Sequence, residues 1–139
     1  MTVVLDASVV IKWLLADPAR EENTDKATQL MESVAAGRLE ALEPAHWLAE
    51  VAAVLARMSP RTAVGDVALL AALEIPVSDD PLVLRRATEL AIELKQHVFD
   101  TLYHAVALET PDAILVTADT RYLRAARGKG RIADLRDWD

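Results

Sequence analysis

The sequence predicts an α/β fold, a three-layer α/β/α sandwich with a mostly parallel central sheet. Short β-branched runs alternate along the chain with longer segments of helical periodicity, as is typical of parallel strands joined by helices. Apolar residues make up 53% of the 139 residues, which is enough for a substantial core. Turn signals are short and evenly spaced, with no linker or repeat between them, so we expect one domain over residues 1–139.

The amino-terminal elements are a strand and two helices. Thr2–Leu5 is a short β-branched run typical of a buried strand. Ser8 is expected to cap a helix over Val9–Leu15, which ends near Asp17-Pro18 because proline cannot continue a helix. A second helix begins near Thr24, where apolar residues recur at three- and four-residue spacing.

The middle of the chain alternates weak strands with apolar helices. Gly37 stands where a C-terminal cap of the second helix belongs, and Leu39–Leu42 is a weak strand candidate. Pro44 is expected to open the third helix, since proline is favoured in the first turn. Thr62–Leu73 is predicted as the fourth helix, and a short strand follows at Ile75–Ser78.

The last third of the chain contains three predicted helices and one clear strand. Asp80-Pro81 is typical of a helix start, with Asp80 as the capping residue. Asp100 is expected to begin a short helix over Leu102–Leu108. Ala113–Thr117 is the second clear buried strand, and a basic helix follows Asp119.

Two carboxylates follow the two clearest strands. Asp6 comes directly after the first strand, and Asp119 lies two residues after Thr117. In open parallel sheets, ligands bind beyond the carboxyl ends of the strands, and a helix follows each of these strands. We therefore expect both carboxylates to project from the same edge of the sheet.

Two further acids stand at unusual helical positions. Glu50 lies about 60° from Trp47 around the third helix, on the shoulder of its apolar face, where an uncompensated charge is costly. Asp100 lies at the start of its helix, where backbone amides favour an anion. If these two acids meet Asp6 and Asp119, like-charge repulsion becomes severe, about 4 kcal/mol for a pair roughly 4 Å apart.

Such a cluster is stable only with protons or with a divalent cation that prefers oxygen ligands, such as Mg²⁺ or Mn²⁺. A bound metal lowers the pKa of a water ligand and neutralises charge that develops on a phosphate. The pattern therefore favours a hydrolase site.

Four segments of the chain resemble the PIN-domain nucleases, and among them the VapC-type toxins of bacterial toxin–antitoxin pairs. The resemblance covers nearly the whole chain and depends on the order and spacing of the acids. The segments are Val4-Leu5-Asp6-Ala7-Ser8, Glu50, Val98-Phe99-Asp100-Thr101-Leu102-Tyr103 and Leu115-Val116-Thr117-Ala118-Asp119.

The resemblance implies a PIN-like fold and a metal-dependent endoribonuclease that acts as a toxin. It implies that the family's metal-binding and catalytic acids correspond to Asp6, Glu50, Asp100 and Asp119. It also implies that Ser8 and Thr117 are hydroxyl residues supporting these acids. The family cleaves structured RNA with Mg²⁺ or Mn²⁺, forms dimers, and is blocked by a cognate antitoxin that inserts a segment into the acidic groove.

The charge distribution adds candidate residues for a substrate contact. The net charge is −7, which argues against a protein that coats nucleic acid non-specifically. Residues 120–139, however, carry 6 basic and 3 acidic side chains. Arg121, Arg124 and Arg127 follow the proposed ligand Asp119, so they are candidates for contacts with substrate phosphates. A solvated helix face is the alternative.

Each of these residues also has a structural interpretation when it is taken alone. Asp6 can begin a turn, Asp100 and Asp119 can cap helices, and Glu50 can extend to solvent from the helix edge. His104, four residues after Asp100, is either a ligand or general base or, more simply, a hydrogen-bonded packing residue. His46 and His97 have no partner at ligand spacing and are interpreted as structural residues.

Three other functions stay open. A catalytically silent PIN-like module that binds RNA or protein would keep the fold without the activity. A phospho-acceptor receiver domain needs a second acid beside Asp6, and a phosphatase of the haloacid-dehalogenase type needs an aspartate where Ser8 stands; the chain has neither.

Location and partners follow from composition and resemblance. We expect a cytoplasmic protein, since the chain has no cysteine, no basic apolar leader and no apolar run of about 20 residues that could span a membrane. The expected partners are an RNA substrate, an antitoxin and a second copy of the chain. The apolar helices around Leu30, Leu55 and Leu70 are the proposed source of the dimer or partner surface.

Overall fold

The structure is a computed structural model that describes residues 1–15, 17 and 22–139. The predicted end of the first helix, near Asp17-Pro18, lies partly outside these residues. Six strands and seven α-helices are formed within the described part of the chain. The strands are β1 (Thr2–Leu5), β2 (Glu40–Ala41), β3 (Glu43–Pro44), β4 (Val77–Ser78), β5 (Ala113–Thr117) and β6 (Ile132–Asp134). The helices are α1 (Ala7–Leu15), α2 (Thr24–Ala35), α3 (Trp47–Met58), α4 (Ala63–Ala72), α5 (Pro81–Leu94), α6 (Val98–Glu109) and α7 (Thr120–Ala126).

The central sheet has four parallel strands in the order β2-β1-β5-β6. β1 and β5 lie side by side, with Leu5 opposite Val116. The Asp6 amide donates to the Val116 carbonyl oxygen over 3.1 Å, so the pairing continues one residue beyond β1. Strands β3 and β4 form a separate two-stranded parallel sheet. This arrangement places Asp6 beside the carboxyl end of β5.

Helices enclose the central sheet as the sequence predicts. α1 packs against β5, α2 and α3, whereas α6 packs against β1, β5 and α5. The central strands are consequently buried, with Val3, Val4 and Val116 fully inaccessible to solvent. The predicted three-layer α/β/α sandwich is confirmed. No helix in the described ranges has the length and apolar character needed to cross a membrane.

The beginnings of three helices differ from the predictions. Ser8 does not cap α1: the backbone carbonyl of Asp6 accepts from the Val9 amide over 2.9 Å, so the helix already begins at Ala7. Pro44 lies in β3, and α3 begins only at Trp47. α6 begins at Val98, two residues before the predicted start, which puts Asp100 inside the first turn.

Strand β6 is not among the predicted elements; it pairs with β5 at the sheet edge. Leu30, Leu55 and Leu70 are each 0% exposed and belong to the core of the chain itself. The helices around them also carry exposed apolar side chains, Met58 in α3 and Val64 and Leu69 in α4, so a partner surface on these helices stays a prediction.

Candidate active site

The four acids singled out in the sequence line one cavity of about 370 Å³. Each comes from a different part of the fold. Asp6 follows β1, Glu50 lies in α3, Asp100 lies in the first turn of α6 and Asp119 immediately precedes α7. The cavity therefore lies at the carboxyl ends of β1 and β5, and Ser8 and Lys12 also contribute to its wall.

Asp6 is held by two hydroxyl groups. Its Oδ2 accepts hydrogen bonds from Ser8 Oγ over 2.5 Å and from Thr117 Oγ1 over 3.2 Å. The Ser8 backbone N–H lies 3.3 Å from the same oxygen and also donates to it. These hydrogen bonds all converge on Oδ2, which leaves Oδ1 without a donor from the described residues.

The same hydroxyls connect the ends of β1 and β5. Ser8 Oγ accepts from the Ala118 amide over 3.0 Å, and Thr117 Oγ1 accepts from the Asp119 amide over 3.0 Å. Each hydroxyl thus donates to Asp6 while accepting from the backbone that leads to Asp119. The position of Asp119 relative to Asp6 is consequently fixed by side chains as well as by the sheet.

The structural interpretation of the aspartates holds for one of the two helix starts. Asp119 caps α7, since its Oδ1 accepts from the Tyr122 amide over 3.1 Å. Asp100 caps nothing, because the capping position of α6 belongs to His97. A single hydrogen bond to Oδ1 does not exhaust the acceptor capacity of the Asp119 carboxylate.

Glu50 has a neighbour that the sequence interpretation missed. His46 Nε2 lies 3.0 Å from Glu50 Oε2 and 2.8 Å from the Phe99 carbonyl oxygen. The ring nitrogen donates to the carbonyl, and Glu50 Oε2 is left buried without a hydrogen bond. The four-residue spacing between His46 and Glu50 is the signal that could have revealed this pair.

Burial and mutual repulsion raise the pKa of two acids in the cavity. Burial raises the pKa of Asp6 to about 6, with Glu50 and Asp100 adding to the rise and the hydrogen bonds from Ser8 opposing it. The pKa of Asp100 is raised chiefly by burial and further by Glu50 and Asp119. The cavity thus favours either protons or a cation, as like charges in a confined site require.

A fifth acid, Glu43, lies close enough to Asp6 and Glu50 to feel their charge; it does not line the cavity and is absent from the predicted site. Its side chain is 0% exposed, and its Oε1 accepts from the Leu5 amide over 2.5 Å. Oε2 and the nearby buried Tyr103 hydroxyl have no hydrogen-bond partner among the described residues. Burial raises the pKa of Glu43 well above its usual range, and Asp6 and Glu50 add to the effect. An acid between Leu42 and Pro44 in an apolar stretch was the available signal.

His104 is a packing residue, as the simpler interpretation predicts. It is 0% exposed, with Nδ1 3.0 Å from the Tyr122 hydroxyl and Nε2 2.8 Å from the Gly130 carbonyl oxygen. One neutral tautomer satisfies both contacts: Nε2–H donates to Gly130, and Nδ1 accepts from Tyr122. Burial lowers the pKa of His104.

The carboxyl end of β6 brings another acid to this edge of the sheet. Asp134 lies opposite Thr117, but Arg136 donates to both of its carboxylate oxygens. The distances to Oδ2 are 3.0 Å from Nε and 2.6 Å from Nη2. These bonds hold the pKa of Asp134 below its usual range. Its charge is already compensated, and it does not line the cavity.

The three predicted phosphate-contacting arginines are separated in the structure. Arg121 lines a second concavity together with Asp100 and Asp119. Arg124 and Arg127 line neither of these two concavities. Only Arg121 is placed next to the acids.

The fit of a metal ion depends on the donor chemistry. Within residues 1–15, 17 and 22–139, no three His, Asp or Glu side chains form a group that could hold a metal ion. The donors around the cavity are nevertheless carboxylate oxygens, which Mg²⁺ and Mn²⁺ prefer. Mg²⁺ commonly binds through one or two carboxylates and keeps several waters. Together with Glu50 Oε2, which accepts no hydrogen bond from the described residues, and the raised pKa of Asp6, this chemistry fits a cation held partly through water.

Comparison with known proteins identifies one family. The family model described as "PIN domain" matches residues 3–128, which include all four acids of the cavity. No curated protein shows significant similarity to the chain.

Proposed function

Because the chain belongs to the PIN domain family, we propose that it is a metal-dependent endoribonuclease and the toxin of a toxin–antitoxin pair. PIN domains are in general metal-dependent nucleases, which makes a hydrolase the coarse functional class. The observation that carries the proposal is the convergence of Asp6, Glu50, Asp100 and Asp119 on one cavity at the carboxyl ends of β1 and β5.

In this proposal, Asp6, Glu50, Asp100 and Asp119 hold Mg²⁺ or Mn²⁺. The bound metal supplies an activated water and neutralises charge on the scissile phosphate. Ser8 and Thr117 orient Asp6 by donating to Oδ2, which leaves Oδ1 for the cation. Ser8 also favours the ionised form of Asp6, the form that binds metal.

Arg121 is the proposed phosphate contact, since it lies beside Asp100 and Asp119. The predicted contacts from Arg124 and Arg127 have no comparable support. An antitoxin is expected to compete with the metal, because a cavity rich in carboxylates attracts an arginine or lysine as well as a cation. A homodimer remains part of the proposal on family resemblance alone.

A catalytically silent PIN-like binding module is the second candidate. It is favoured by the lack of a preassembled three-residue metal group among the described residues. Such a module would bind nucleic acid or a partner protein without cleaving RNA.

One experiment separates the two candidates. The purified protein is incubated with structured RNA and Mg²⁺, with and without a chelator, beside the Asp6→Asn variant. Asp79→Asn is the matched control, because it makes the same carboxylate-to-amide change at an exposed residue outside the cavity. We expect cleavage by the wild type and the control only, abolished by chelation. Cleavage that survives chelation or Asp6→Asn contradicts the nuclease mechanism.

The toxin role has a separate test. Induced expression in bacteria should arrest growth with the wild-type protein and not with Asp6→Asn. Co-expression of a small protein encoded next to this gene should restore growth. Normal growth with an active ribonuclease would refute the toxin role and leave the nuclease proposal intact.

A further inference from the structure

A second concavity of about 210 Å³ adjoins the acidic cavity. It is lined by Lys95, Gln96, His97, Asp100, Asp119 and Arg121. Asp100 and Asp119 also line the acidic cavity, so the two depressions share a wall. The acidic cavity is lined by four carboxylates, whereas the second concavity also contains the basic side chains of Lys95, His97 and Arg121.

The basic groups of this concavity come from two separate places in the fold. Lys95 is the left-handed residue that ends α5, with φ of 57°, and His97 directly precedes α6. Arg121 is the second residue of α7. The connection between α5 and α6 thus meets the start of α7 at the edge of the acidic cavity.

Lys95 and Arg121 have no neutralising partner among the described residues. Neither makes a hydrogen bond or an ion pair within 4.0 Å in the part of the chain that the structure describes. Lys129 and Arg136 differ in this respect, because Lys129 pairs with Glu93 and Arg136 pairs with Asp134. The two free cations therefore stand beside Asp100 and Asp119 without being bound by them.

We propose that the concavity formed by Lys95, His97 and Arg121 binds an RNA backbone phosphate adjacent to the phosphate that is cleaved. This inference rests on the proposed function, since it assigns a substrate subsite to the same nuclease. The guanidinium of Arg121 suits a phosphate through paired N–H donors, and the Lys95 ammonium adds a point charge. A phosphate held here anchors the strand while the next one lies over the acidic cavity.

The alternative role for these cations is to screen the charge of Asp100 and Asp119. The two roles predict different effects on RNA affinity when a cation is removed. A phosphate subsite loses RNA affinity when a cation is removed. A screening role leaves RNA affinity unchanged and makes Mg²⁺ bind more tightly, because the local negative charge increases.

The test compares Lys95→Gln and Arg121→Gln with Arg57→Gln, a control at an exposed helical arginine that lines neither concavity. RNA affinity is measured in an Asp6→Asn background, where turnover does not interfere, over a series of salt concentrations. Steady-state kinetics are measured in the otherwise wild-type protein, and Mg²⁺ affinity is measured by calorimetry.

We expect each subsite variant to weaken RNA binding about threefold to tenfold and to reduce the slope of log affinity against log salt by about 1. KM should rise, while kcat stays within about twofold. Subsite variants that match the control in RNA affinity and salt slope overturn the proposal, whether or not Mg²⁺ binding tightens. Failure of the nuclease proposal appears separately, as absent Mg²⁺-dependent cleavage by the wild type.

Discussion

The Glu43 carboxylate accepts a hydrogen bond from the Leu5 backbone amide, with 2.5 Å between Oε1 and the nitrogen. β2 pairs with β1 only as far as Ala41, and the last backbone bond between them runs from the Leu42 amide to the Val3 carbonyl oxygen. Glu43 therefore supplies a side-chain acceptor where the neighbouring strand has ended. Leu5 directly precedes Asp6, so this buried acid fixes the backbone that carries the proposed metal ligand.

Substitution of Glu43 should separate its role as an acceptor from its charge. Glu43→Gln keeps an oxygen for the Leu5 amide, whereas Glu43→Leu leaves that buried amide unpaired. We expect Glu43→Leu to lower the free energy of unfolding by about 1–3 kcal/mol relative to Glu43→Gln, measured by urea denaturation. Mg²⁺ affinity should also be lower in Glu43→Leu. Equal stability and equal metal affinity in both variants would show that the hydrogen bond has no role.

Asp6 should make metal binding depend on pH near neutrality. Burial raises its pKa to about 6, and a carboxyl group must be ionised to bind a cation. Below pH 6, the Mg²⁺ affinity is expected to fall by up to about tenfold per pH unit, measured by calorimetry. An affinity that stays constant between pH 7.5 and 5 would exclude Asp6 as a ligand with this pKa.

The same shift has a defined effect on stability without metal. The folded protein holds the Asp6 proton up to about pH 6, whereas the unfolded chain loses it near 3.8. Between these values the folded state binds more protons, so the free energy of unfolding falls as pH rises. Asp6→Asn removes this dependence. Its stability advantage over the wild type should grow between pH 3.5 and 7.5 by up to about 3 kcal/mol, measured by chemical denaturation with chelator present.

Ser8 should set how readily Asp6 ionises. Ser8→Ala removes the 2.5 Å hydrogen bond to Oδ2, which favours the ionised carboxylate. We expect Mg²⁺ affinity at pH 6.5 to fall about threefold to tenfold and to recover largely at pH 8.5, where Asp6 is ionised in either protein. Ser33→Ala is the control, since Ser33 lies in α2 and does not line the cavity. A loss in Ser8→Ala that persists at pH 8.5 would mean that Ser8 acts through geometry instead of through the pKa of Asp6.

The sequence predicts the sheet edge well because strong local signals define it. Thr2–Leu5 and Ala113–Thr117 are apolar and β-branched, and both strands have the predicted bounds. Asp6 and Asp119 follow these strands. The rule that ligands bind at the carboxyl ends of parallel strands is therefore enough to predict that both acids line one cavity. Glu50 is found by its angular position in an amphipathic helix, which is also a local property.

The missed features depend on contacts between distant segments. Glu43 accepts from the Leu5 amide only because β2 ends early beside Leu5, a contact that its place between Leu42 and Pro44 in the sequence does not reveal. β6 is a three-residue strand in a basic segment and exists through its pairing with β5. Its acid, Asp134, is paired with Arg136 and does not line the cavity. Periodicity also cannot distinguish a core leucine such as Leu55 from one at an interface.

His104 should contribute to stability and not to metal binding. His104→Leu leaves the buried Tyr122 hydroxyl and the Gly130 carbonyl oxygen without their partner. We expect a loss of about 1–3 kcal/mol in the free energy of unfolding at pH 7.5, with Mg²⁺ affinity unchanged. A decrease in metal affinity comparable to that of Asp6→Asn would instead make His104 part of the site.

The pH dependence of this contribution has the opposite sign to that of Asp6. Burial lowers the pKa of His104 below 6.5, so the unfolded chain binds its proton more readily than the folded protein does. The stability due to neutral His104 is fully present above pH 6.5 and is lost as the pH falls toward the lowered value. The deficit of His104→Leu relative to the wild type should therefore shrink between pH 7.5 and 5, measured by urea denaturation. A deficit that grows on acidification would require a charged, ion-paired histidine, for which the hydrogen bond from Nε2 to Gly130 and the contact of Nδ1 with Tyr122 provide no anion.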